Sequence, residues 1–221
     1  MIRKLLVLGF VAATVLCAAL PAHAEAMPPG AHVRGHSLLE WEQLYVDWLT
    51  TSSSNVLFNG GCGEIVDGVY FPPAATQPGA EATCDVPTGT FVLASPAGTF
   101  SEIPTYGRTD QAILADAQAT WSLLVSDSLT VDGKPVSVTE EGPTVHDVGP
   151  VEEGSFYDLI CEGTPSPCVR DFAPGETIRL ASIADVVMLR PMSPGTHVIH
   201  ETANFTIFPA PVDITVTLHV G

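Results

Sequence analysis

Near the C-terminal end, Ile214, Val216, Leu218 and Val220 alternate with Asp213, Thr215, Thr217 and His219. In an extended chain successive side chains point to opposite faces, so the four aliphatics share one face and the polar residues the other. Such a segment packs one face on a core while the other meets water or a polar neighbour. A register slip of one residue would bury Asp213 and His219 and expose all four aliphatics. The chain must therefore build a sheet and a second layer to cover it.

The rest of the pattern is consistent with that demand. Leu129-Thr130-Val131-Asp132-Gly133-Lys134-Pro135-Val136 reads as two strands joined at an Asp-Gly turn. Residues 55–100 read as turn-rich, with short apolar runs at 69–71 and 91–93, and 156–160, 178–180, 186–189 and 197–200 are strand candidates. Two helices interrupt them. Ser37 and Glu40 form a capping box, and Trp41, Leu44, Tyr45 and Trp48 then fall on one apolar stripe. The stripe reads as the core face of a helix lying on a sheet. A second helix starts at Thr109 or Asp110, with Ile113, Leu114, Ala117, Trp121, Leu124 and Val125 as its buried face. The expected fold is mainly β: an antiparallel sandwich, Ig-like or jelly-roll-like, with two helices. Residues 139–154, rich in acids, glycine and proline, read as an exposed loop.

Residues 1–24 read as a secretory signal: basic Arg3-Lys4, an apolar run at 5–20, and a small-x-small site at Ala22-His23-Ala24. Residues 25–221 are then a single secreted domain. No later apolar run is long enough for a membrane span. With Arg3 and Lys4 gone, six basic residues face 25 acidic ones, a formal charge of -19. Scattered single cations exclude nucleic acid as a partner, because phosphate contacts need clustered Lys and Arg. Cys62, Cys84, Cys161 and Cys168 remain in the exported part, an even number in an oxidising compartment. Four cysteines allow three pairings. The short 161–168 loop, with Pro165 and Pro167, favours Cys62–Cys84 with Cys161–Cys168.

Several segments occur in a recognisable order. They are the Trp41/Trp48 helix, Cys84-Asp85-Val86-Pro87-Thr88-Gly89, Val131-Asp132-Gly133-Lys134-Pro135 and Pro194-Gly195-Thr196-His197-Val198-Ile199-His200. In this the chain resembles an uncharacterised family of secreted bacterial proteins. It departs from that pattern where Val186-Val187 follow Asp185. The resemblance implies a secreted β-rich domain and no established activity.

No catalytic motif is complete. Gly35-His36-Ser37 lacks the second glycine of a nucleophile elbow, since Leu39 holds that position, and Ser37 already serves as helix cap. His197 and His200, three apart, fall on opposite faces of a strand. His32 and His36 lie in the polar lead-in. The acidic stretches 139–154 and 59–67 are the places where Ca²⁺ would find oxygen ligands. The expectation is a secreted non-catalytic binding or envelope-associated module with an extracellular ligand. The alternative is a secreted hydrolase of a polysaccharide or ester using a carboxylate-lined cleft.

Overall fold

The computed structural model describes residues 25–54, 57, 60–74, 78–163 and 169–221. The expected signal segment 1–24 and Cys168 lie outside the described residues, and with Cys168 the expected Cys161–Cys168 bridge. Elements follow in the order α1 (Leu38–Thr51), β1 (Glu64–Val66), β2 (Val69–Phe71), β3 (Ala80–Val86), β4 (Phe91–Glu102), α2 (Asp110–Trp121), β5 (Leu124–Val131), β6 (Lys134–Val136), β7 (Thr139–Val148), the one-turn α3 (Ile160–Gly163), β8 (Ile178–Leu189), β9 (Gly195–Phe205) and β10 (Val212–Val220).

The strands form two packed five-stranded sheets, β1-β2-β4-β8-β7 and β3-β10-β9-β5-β6. Both are mixed, where an all-antiparallel sandwich was expected: β2 runs parallel to β4, and β3 runs parallel to β10. The connections explain the difference, because β2 and β4 are not joined by a tight turn; β3 leaves for the other sheet between them. The Cys62–Cys84 bridge ties the segment ahead of β1 to β3.

Ile214, Val216, Leu218 and Val220 are buried between the sheets, against Val92, Ala94, Val187 and Leu189 of the first sheet. The alternation of β10 thus sets its face as expected. The outer face of the first sheet carries α1, with Trp41, Tyr45 and Trp48 gathered round Phe71 at ring distances of 6.0, 5.4 and 5.7 Å. Each polar tip on this stripe finds an acceptor: Trp41 Nε1 donates to the Val33 carbonyl, the Tyr45 hydroxyl to the Pro72 carbonyl, and Trp48 Nε1 to Glu64. The stripe is therefore core.

Four expectations change. Runs 178–180 and 186–189 are one strand, β8. It is buried on both faces, by α1 outside and by α2 and the second sheet inside, so the small residues between the runs hide its continuity. Residues 139–148 are the edge strand β7 rather than loop; its acids sit on wet faces and partner groups rather than in a flexible segment. Residues 156–159 are turns leading into α3, which takes Ile160, because Phe156 and Tyr157 pack edge-on against Phe100 and Phe172 instead of alternating. α2 closes at Trp121, so Leu124 and Val125 belong to β5, and Val125 is 60% exposed.

Candidate functional site

The residues singled out in the sequence take structural posts. Ser37 caps α1, accepting from the Glu40 N–H while Glu40 accepts from the Ser37 N–H at 2.7 Å. His36 packs edge-on against Trp41, and His32 is exposed. Within 139–154, Glu140 accepts from Trp121, Asp147 pairs with Arg179, and Glu152 accepts from the Ser53 N–H. Among the described residues, no group of three or more His, Cys, Asp or Glu side chains is placed to hold a metal ion.

His197 and Asp132 show how two motifs meet. Asp132 and Gly133 both take positive φ, 51° and 72°, in the tight turn between β5 and β6. Asp132 accepts from His197 Nδ1 at 2.8 Å and from the Val198 N–H at 2.9 Å. His197 Nε2 lies 2.9 Å from the Ser193 carbonyl and 3.5 Å from the Ser193 hydroxyl. The Ser-His-Asp order resembles a catalytic triad. Both ring nitrogens, however, face acceptors that own no proton, so both donate. No lone pair is left to take a proton from Ser193, which a triad requires. Burial pulls the His197 pKa down, but the bonds to Asp132 and the Ser193 carbonyl outweigh it and hold the pKa above the usual value. The ring is a staple between two turns.

Among the described residues, three glutamates are wholly buried: Glu42 on α1, Glu102 at the end of β4 and Glu201 on β9. Neither oxygen of Glu42 has a hydrogen-bond partner of good geometry, and Glu102 and Glu201 each carry one such unpartnered oxygen. Burial first, then the like charge of Glu141, pushes Glu42 up to about 7, and only the Ser182 hydroxyl pulls the other way. Glu201 is pushed up to about 7 by burial, despite accepting from the Ser95 N–H. Asp185 rises to about 6 through burial and the neighbouring charges of Asp127 and Glu140.

The surface feature that sequence reasoning missed is the turn between β9 and β10. Residues 206–211, Thr-Ile-Phe-Pro-Ala-Pro, are all exposed and none is charged. Ile207 is 56% and Phe208 46% exposed. The tip is anchored from beneath. Phe208 packs edge-on against Phe205 at 6.1 Å, and Phe205 against Trp121 at 6.5 Å. The Thr206 N–H donates to the Leu123 carbonyl and the Phe208 N–H to the Phe205 carbonyl. Pro209 and Pro211 restrict the backbone further. Val125 lies at the bulge of β5, which pairs with this end of β9. No Lys or Arg occurs in 191–221 or 121–133, the segments that carry the tip and the strand beside it. The available signal was an uncharged six-residue run between two alternating strands, where a turn is ordinarily polar.

No family model matches the chain, and no curated protein matches it. Two solved structures are similar at a distance. The solution structure of amebosin shares 9% identity at a TM-score of 0.20, covering 66% of this chain and 98% of that one. PbICP-C, in a structure of its complex with falcipain-2, shares 10% identity at a TM-score of 0.22, covering 72% of this chain and 95% of that one. At these TM-scores neither bears on the fold or function of this chain, which rest on its own residues.

Proposed function

We propose that this chain is a secreted, non-catalytic binding module that inserts the apolar tip 206–211 into a cleft on a partner protein. The observation that carries the reading is the exposure of Ile207 and Phe208 on a braced turn. Exposed apolar groups on a rigid support mark interaction sites, and a few buried aromatic anchors supply most of an interface's energy. Bracing by Phe205 and two prolines lowers the ordering cost of binding. With Asp213 just after the tip and no Lys or Arg on the strands that carry it, a cleft rimmed by Lys or Arg is favoured. In this reading the sandwich is of the immunoglobulin-like kind, with loops presented at its ends, and Cys161–Cys168 is a second bridge made on export.

The test is affinity capture from the producing cells' culture fluid with immobilised wild type and Phe208→Asp. The wild type is expected to retain a partner that the variant releases, while both give the same circular dichroism and melting temperature. Identical retention by the two would remove the tip from the reading. The alternative, a hydrolase, draws on Asp185 raised to about 6 beside Asp127 and Glu140, an arrangement suited to a general acid. It requires turnover of a polysaccharide or ester that Asp185→Asn abolishes.

A further inference from the structure

We infer that the space between α1 and the bulged half of β4 is a binding site for a small uncharged molecule, a single ring or branched skeleton of about six carbons carrying one hydroxyl group. The site is independent of the tip at 206–211.

The void follows from how β4 is built. β2 pairs with β4 only at Phe91 and Val92. The pairing with β8 then breaks between Ala94 and Ala97. Ser95 and Pro96 leave the ladder there, and the Ser95 N–H turns to Glu201. Bulges of this kind are frequent beside binding sites. Gly98 follows without a side chain. α1 crosses above, and a cavity of about 130 Å³ is left between them. Protein interiors seldom keep voids much larger than a water molecule. An enclosed apolar cavity of roughly 150 Å³ accepts a benzene-sized guest; this one is of similar size, partly open, and lined by Ser95 and Thr99 as well as by apolar residues.

The lining chooses the guest. Leu49, Leu57, Ala74, Pro96 and Phe100 supply apolar walls. The Tyr45 hydroxyl is already donated to the Pro72 carbonyl, so this residue offers its ring. Ser95 supplies a hydroxyl whose contact with the Ala97 carbonyl is at 3.5 Å, the limit of a hydrogen bond. That hydroxyl can turn to a guest at little loss. Among the described residues, no charged side chain lines the space. A carboxylate or ammonium guest would be desolvated without a partner and is rejected.

Phenol, benzene and benzoate are the probes, added at millimolar concentration to the exported chain and read by thermal unfolding and by chemical shifts around Tyr45. Phenol is expected to raise the melting temperature by several degrees and benzene by less. Benzoate is expected to do nothing. Ser95→Ala should weaken phenol about fivefold, the value of one hydrogen bond, and leave benzene unchanged. Ala74→Phe should fill the space and abolish the response to both neutral probes. Gly98→Val is the second filling variant, since a Cβ there meets the Ala184 Cβ at an ordinary 3.4 Å. The inference is overturned if neither neutral probe shifts the wild type, if benzoate matches phenol, or if the response survives in a folded filled variant.

Discussion

Trp41 is 1% exposed with its indole N–H on the Val33 carbonyl, so Trp41→Ala removes packing and a satisfied donor together. A loss of roughly 3–5 kcal/mol is expected in urea unfolding. An unchanged midpoint would mean the ring is not core. His197 makes a subtler prediction. Its pKa is raised in the folded chain, so its contribution is full below the unfolded value near 6.5 and fades as pH rises through the folded value. His197→Gln should therefore cost more stability at pH 6 than at pH 9. A gap independent of pH would show that the ring is not held as a cation. Sequence discloses residues of this kind unevenly. Ser37 and Glu40 announce a cap through spacing alone, because the box is local. Asp132 and His197 are 65 positions apart, and only the packed strands reveal that they touch. Phe208 stands among other apolar residues near a strand, and nothing local says it stays outside.

At the scale of elements, β10 was legible because its alternation is uninterrupted and its inward residues are large. Val216 is fully buried, whereas Thr215 lies on the other face, partly exposed. Val216→Asp is expected to abolish folding, as a charge enters a dry layer, and Thr215→Asp to leave a cooperative transition. Equal behaviour of the two, followed by circular dichroism, would contradict the register. β3 was hidden because its inward residues, Ala80 and Ala82 before Cys84 and Val86, give a weak hydrophobic signal. β7 was hidden for another reason: it is an edge strand, bonded along one side to β8 only, and its composition follows its exposure. β8 was seen in two fragments, because a strand covered on both sides needs no alternation.

For the whole molecule, composition places 25 acids against few bases and predicts a wet acidic surface, yet Glu42, Glu102 and Glu201 are in the interior. No sequence rule locates these, since burial of an acid depends on what packs over it. Their folded pKa values are raised, to about 7 for Glu42 and Glu201. A raised carboxyl contributes stability that is complete below its unfolded value of about 4.5 and is lost as pH climbs through the folded value. The fold should be more stable at pH 5 than at pH 8, by up to about 3 kcal/mol for each of the two. Glu201→Gln should flatten the dependence and stabilise the chain at pH 8; a steeper dependence in that variant would contradict the account. The central claim is that the tip 206–211 is what this molecule presents to its partner, and one measurement addresses it most directly. A photo-crosslinking residue is placed at Phe208, and in a second variant at Lys134 beside the turn at the opposite end of the same sheet, and both are irradiated in the producing culture. The account predicts one defined adduct from position 208 and none of that mass from position 134. The same adduct from both positions, or from 134 alone, would contradict it.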